Sequence, residues 1–385
     1  MSATVTNARD RLVSLDVMRG LVMVLMAIDH VRVYSGLPAG GPTPGIFFTR
    51  WVTHFCAPAF AFFAGTSAFV SGQRRTTPDL SRHLLTRGAL LILLELTVLR
   101  LAWTFNVDYA EYMLAGVIWM LGVCMMLMAA LVYLPTRAIA IVGLIVIFAQ
   151  NLVGAVAGLT PKSWEWIWQF VYFGGVFRIG ESGPFVAVLY SIVPWVGVMA
   201  TGYAFGAIVI REPAERDRLF VRIGVPATAL FLAVGGLMVF MNPAPAGAPP
   251  ALLRLLNQQK YPASQLFLLM TLGPTIALLP LAERARSAVG EALAVFGRVP
   301  LFYYLLHIPL IHFAAVVVSL VREGHVNPWL FGNHPMMPPP LPAGYQWGLP
   351  LLYLMFAIVI AILYVPCRWF AGVKARHRDG WVRYL

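Results

Sequence analysis

Charge is what this chain has least of. Asp, Glu, Lys and Arg make up 11% of its 385 residues, 59% are hydrophobic and the mean hydropathy is +0.76, which excludes an ordinary water-soluble domain of this size. Cysteine is nearly missing too. Cys56, Cys124 and Cys367 are too few and too scattered for a metal motif or a disulfide framework. There is no P-loop, GxGxxG or HExxH pattern to name a soluble cofactor or a metal, and no repeat of 20 to 50 residues.

What the chain does have is long apolar runs. In hydrocarbon every backbone N–H and C=O needs an internal partner, so membrane-crossing chain is helical or a closed barrel, and unbroken runs exclude the alternation of barrel strands. Windows near the 20 residues that cross a bilayer centre on 16–34, 51–72, 84–104, 112–134, 137–157, 184–210, 219–241, 263–282, 299–321 and 349–366. The expected fold is therefore an all-α polytopic bundle of about ten spans, one membrane domain over the whole chain.

The loops test the count. Placing the N-terminus inside puts most of the 28 Lys and Arg on the cytoplasmic side, in segments 1–15, 73–83, 135–136, 211–218, 283–298 and 367–385 with their flanks. Both ends are thus expected in the cytoplasm, with a short tail over about 1–14 and a basic tail over about 367–385. The net charge of +12 reads as this topology signal plus the tail (Lys374, Arg376, Arg378, Arg383), so no nucleic acid is expected. The first apolar stretch is read as a retained span, since Asp16 and Arg19 interrupt its start and no small-residue cleavage pattern follows. Of the outer segments, the Trp-rich 158–183 and Pro-rich 322–348 stand out, each as an interfacial anchor or a lid.

Ionisable residues inside spans cost at least about 2.5–3.5 kcal/mol each and need a partner, a wet cavity or a function. Span one carries Asp16, Arg19, Asp29, His30 and Arg32. Asp16 and Arg19 share a face and suit a mutual ion pair. Neighbours on a helix point about 100° apart, so Asp29 partners His30, Arg32 or another span. His54 opens span two near the level of His30, as a converging site residue or an interfacial histidine beside Trp51. Glu95 and Arg100 lie off one face and are expected to form structural ion pairs elsewhere. His307 sits mid-span after Tyr303 and before Pro309.

Together these residues are acyl-transfer equipment: an imidazole takes a proton from an incoming amine or hydroxyl, and a carboxylate fixes its tautomer. Arg74, Arg75, Arg284 and Arg286 at the inner mouth are either phosphate ligands for a nucleotide-bearing donor or the topology signal itself. A transporter or flippase competes: Pro-interrupted spans permit discontinuous helices, but no internal repeat supports one.

The opening Arg11-Leu12-Val13-Ser14-Leu15-Asp16-Val17-Met18-Arg19-Gly20, followed by Met26-Ala27-Ile28-Asp29-His30, resembles the heparan-alpha-glucosaminide N-acetyltransferase-like family. The blocks Ala57–Gly65, Pro194–Tyr203 and Phe296-Gly297-Arg298-Val299-Pro300 through His307 resemble its bacterial branch, so that the similarity runs over roughly 10–370. The resemblance implies acetyl transfer from cytoplasmic acetyl-CoA to an amino sugar or glycan acceptor across a bacterial plasma membrane, with no metal. A homodimer is compatible with it.

Arg19 followed after ten residues by His30 is similar to the arginine-to-histidine motif of acyltransferase-3 enzymes. By that match His30 is the catalytic histidine, as base or through an acyl-imidazole. From the placement of the charged and histidine residues, Asp29, His54 and His307 are expected to assist it, and Arg19, Arg74, Arg75, Arg284, Arg286 and Arg298 to be donor ligands. The lysosomal member has a large lumenal region where this chain has about ten residues, so its glycan specificity is not carried over.

Overall fold

The computed structural model of the protein describes residues 13–41 and 43–377. Most of the expected N-terminal tail, and Arg378 and Arg383 of the basic tail, lie outside them. Every one of the ten apolar windows holds a helix: α1 (Val13–Ser35), α2 (Pro44–Gly72, with a 3-10 turn at Val52–Phe55), α3 (77–104), α4 (Val117–Leu131), α5 (Thr136–Gly158), α6 (Val193–Val209), α7 (Pro213–Met241) and α8 (Gln265–Glu283). An eleventh helix, α9 (Ala288–Arg298), precedes α10 (Pro300–Glu323) and α11 (Leu349–Arg376).

Six of them, α2, α5, α7, α8, α10 and α11, are long and apolar enough to cross a membrane. α1 is as long but carries Asp16, Arg19, Asp29 and Arg32, whereas α4 and α6 are shorter. α5, α7 and α11 turn Leu144, Phe148, Leu232, Phe240, Leu354 and Ile362 outward. Such faces are unfavourable against water and at home against lipid tails. The protein is an integral membrane protein, predominantly helical.

Caps set the starts. Thr43 accepts from the Ile46 amide at the head of α2, Thr76 from Asp79 at the head of α3 and Ser264 from Phe267 at the head of α8, the arrangement that satisfies orphan amides of a first turn. Proline stands in the first turns of α2, α3, α6, α7, α10 and α11, where its missing N–H costs nothing.

The helical bundle carries one small sheet: β1 (Tyr112–Ala115) pairs in parallel with β3 (Phe185–Val188), which pairs antiparallel with β2 (Gly175–Arg178). The windows at 112–134 and 184–210 therefore each begin with a strand, because four apolar residues read alike as strand or helix. The segment 283–298, expected to be a cytoplasmic loop, contains α9, capped by Ser287.

α9 lies so close to α1 that a Cβ on Gly20 would meet the Leu293 carbonyl oxygen at 1.8 Å, and one on Gly297 the Asp16 carbonyl oxygen at 1.8 Å. Only glycine permits that backbone contact, and it sets Arg298 beside Asp16.

The Pro-rich segment closes over the far end of α1. Trp347 N donates to Ser35 O (2.9 Å), Tyr345 Oη to Tyr34 O (2.9 Å) and Asn333 Nδ2 to Val33 O (3.0 Å). The Trp-rich stretch instead folds into short helical turns over Lys162–Phe173, with Trp164 and Trp166 exposed.

Candidate active site

Along α1 the residues Asp16, Arg19, Met23, Met26, His30 and Val33 recur every three or four positions, so they form one stripe. Asp16, Arg19 and Met23 line a proximal cavity of about 380 Å³. Met26, His30 and Val33, with Asp29, line a distal one of about 170 Å³. The eleven-residue step from Arg19 to His30 is about three turns and about 16 Å, which puts both on this face at opposite ends. Phe60 and Tyr304 line both cavities and mark where they meet.

The proximal cavity is basic. Arg19, Arg75, His83, Arg87, Arg298 and Lys374 line it, with Asp16 the acid among them. Arg19 donates to Phe63 O (3.0 Å) and to the Ser67 hydroxyl. Both Arg19 and Arg298 stand 3.9 Å from the Asp16 carboxylate, so the expected Asp16 to Arg19 pair is shared with α9. Arg75 Nη1 and Arg87 Nε are buried with no hydrogen-bond partner among the described residues. Buried donors of that kind suit a phosphate oxygen.

The distal cavity holds the histidine chemistry. His30 Nδ1 is 2.7 Å from His307 Nε2, and His307 Nδ1 is 2.7 Å from Tyr304 O. A carbonyl only accepts, so His307 carries its proton on Nδ1 and, neutral, presents a lone pair at Nε2. His30 then donates from Nδ1, which leaves the lone pair of His30 on Nε2. No described residue hydrogen-bonds that nitrogen, and His30 lines the cavity. Trp103 meets the His30 ring edge-on at 5.1 Å and Tyr303 stacks on His307 at 5.1 Å, which limits the rotation of both imidazoles.

Residues 11–242 match the family described as heparan-alpha-glucosaminide N-acetyltransferase, catalytic. The chain belongs to that family. No curated protein is significantly similar to it in sequence. As a heparan-alpha-glucosaminide N-acetyltransferase catalytic-family protein it is one of a transferase family that uses acetyl-CoA as donor. The match takes in Arg19, Asp29, His30 and His54, whereas Lys260, Arg298, His307 and Lys374 lie beyond it.

In this family member the structure gathers some of the expected residues and separates others. His30 and His307 come together, with His307 behind His30 and itself off the cavity wall. Asp29 lines the distal cavity but binds Arg32 (Nε to Oδ1, 2.7 Å); His307, rather than Asp29, sets the His30 tautomer. His54 is buried on α2 against Phe267 at 5.4 Å, away from the distal wall.

Arg19, Arg75 and Arg298 line the proximal cavity. Arg74 is exposed and outside it, Arg284 is 76% exposed and 3.8 Å from Asp217, and Arg286 is also outside the lining.

Glu95 and Arg100 form no ion pair with each other or elsewhere among the described residues. Glu95 Oε2 accepts from the Ile118 and Trp119 amides (2.8 and 3.0 Å). Arg100 donates to the carbonyls of Asn106, Asp108 and Tyr112 and to the Thr104 hydroxyl. Backbone dipoles at a helix start and in a loop do what counter-ions were expected to do.

Sequence reasoning missed Arg87, Lys374 and His83 of the proximal cavity, and Arg50, Lys260 and Tyr304 of the distal one. Arg87 had a signal, since it falls within its own apolar window. Lys260 had only its loop, where its ammonium lies over the rings of Tyr190 (5.6 Å) and Tyr261 (5.2 Å). Outside the spans, His334 stacks on Tyr112 at 3.9 Å beside the wall residue Pro335, and burial, then the Arg100 charge, holds its pKa down at about 4.

Proposed function

We propose that the protein transfers the acetyl group of acetyl-CoA, bound in the proximal cavity, to an amine or hydroxyl of an amino sugar or glycan in the distal cavity. The observation that carries this reading is the stripe on α1 that joins a basic cavity to the His30 and His307 pair. Ten spans with both ends in the cytoplasm of a bacterial plasma membrane go with it. The Lys and Arg-rich loops then share the proximal side, so the donor enters from the cytoplasm and the acceptor from the opposite face.

Arg75 and Arg87 hold the donor's phosphates, with Arg19, Arg298 and Lys374 adding positive potential. The pantetheine arm passes Phe60 and Tyr304 and brings the thioester to His30. In direct transfer the acceptor attacks the acetyl carbon while His30 Nε2 takes its proton. The C–S bond then breaks and the departing sulfur receives that proton from the imidazolium, so CoA leaves as a thiol. The lone pair on Nε2 is equally what an acetyl-imidazole route requires.

Sealed proteoliposomes sorted by orientation test the reading. Acetyl-CoA on the proximal side should acetylate amino sugars present only on the distal side, with CoA released where the donor was added. Acceptor movement without acetyl-CoA and without product would instead establish a transporter.

A further inference from the structure

Phe60 and Tyr304 are the two residues that line both cavities, and only Tyr304 has a polar group there. Tyr304 is 4% exposed. No described residue hydrogen-bonds Tyr304 Oη, and the hydroxyl is not one of the sealed, partnerless polar atoms, so it is open to the cavities the residue lines, while its backbone carbonyl holds His307 Nδ1 at 2.7 Å. The ring meets His30 at right angles, 6.4 Å between centroids, and His307 at 4.9 Å. Glu95 and Tyr261 share the wall of the distal cavity with it. A donor without a protein partner thus faces the cavities at their junction, on the residue whose carbonyl orients the histidine pair.

We infer that Tyr304 is a further catalytic residue: its hydroxyl donates a hydrogen bond to the thioester carbonyl oxygen of the acetyl donor and stabilises the oxyanion formed there. The inference rests on the acetyl-transfer reading above. The acceptor adds to the carbonyl carbon, the carbonyl π pair moves to oxygen and Tyr304 Oη–H stabilises that charge without giving up its proton. The pair returns as the C–S bond breaks and the sulfur leaves with the proton His30 had taken. Since Tyr304 sits one turn before His307 on α10, one helix aims both the oxyanion donor and the second imidazole. A thioester reaching from the proximal cavity towards His30 meets this hydroxyl on the way.

The test uses the full chain and an unreactive ketone analogue of acetyl-CoA, with CH₂ in place of the thioester sulfur and ¹³C at the carbonyl. In the wild type the bound carbonyl stretch should lie lower than in Tyr304→Phe. 3,5-Difluorotyrosine at position 304, a stronger donor, should lower it further. Tyr304→Phe should also reduce kcat about 100-fold with CoA affinity unchanged, which a merely structural ring would not do.

An identical carbonyl band and an unchanged kcat in Tyr304→Phe overturn the inference. Should the wild type bind the analogue yet acetylate no acceptor, the functional reading fails while the band still decides the role of the hydroxyl. No analogue binding by the wild type overturns both.

Discussion

The imidazoles of His30 and His307, 277 positions apart in the chain, meet with Nδ1 of the first 2.7 Å from Nε2 of the second. The rings stack at 4.9 Å. Because Tyr304 O accepts from the outer end of this chain, each proton has one place to be, and the unoccupied lone pair falls on His30 Nε2. His307 is therefore a positioning residue.

Replacing it tests that order. His307→Phe keeps a ring of similar size and removes the acceptor of His30 Nδ1–H, so His30 is free to carry its proton on the wrong nitrogen. We expect kcat to fall on the order of 100-fold or more, with affinity for CoA unchanged. In His307→Gly, which vacates the space of the ring, exogenous imidazole should restore part of the rate, as it would not if the change had unfolded the site.

The proximal cavity makes a different demand. Arg75→Gln and Arg87→Gln each remove a buried, unpartnered guanidinium donor. The KM for acetyl-CoA should rise about tenfold for each, about 1.4 kcal/mol, with kcat at saturation little changed. The loss should shrink in high salt. Arg284→Gln, outside the cavity and 3.8 Å from Asp217, should leave the KM where it is.

Acid should loosen the cover of the distal cavity. His334 has a folded pKa of about 4, below its ordinary 6.5, through burial first and then the charge of Arg100. Between those values the unfolded segment binds the extra proton, so the contribution is present above about 6.5 and lost as pH falls towards 4. Hydrogen exchange over 325–348 should quicken across that window, and His334→Phe should flatten the response.

Much of the membrane architecture was legible in the chain, because hydropathy in windows near 20 residues reports the physics that decides it. Each of the ten windows contains a helix, and six of those helices are long and apolar enough to cross a membrane. The four-residue strands β1 and β3 were not, since their apolar runs carry no period of their own. α9 was overlooked because its charged residues and short length lower its hydropathy, although Ser287 is an ordinary capping residue.

In the site, Arg19 and His30 were readable from spacing within one helix. The union of His30 with His307 was not, as it depends on how α10 packs against α1. For Asp29 the helix left His30, Arg32 and another span open as partners, and the structure selects Arg32, one turn on. Arg74, Arg284 and Arg286 share a residue type with Arg75 and Arg87, and only burial separates a cavity lining from a topology signal.

The most direct test of the account is acceptor-dependent CoA release from acetyl-CoA by the purified chain, wild type against His30→Ala, with CoA affinity measured on both. Release with an amino sugar acceptor is expected in the wild type and its loss in His30→Ala, with equal CoA affinity, since the proximal cavity is untouched. Undiminished release by His30→Ala would contradict the account.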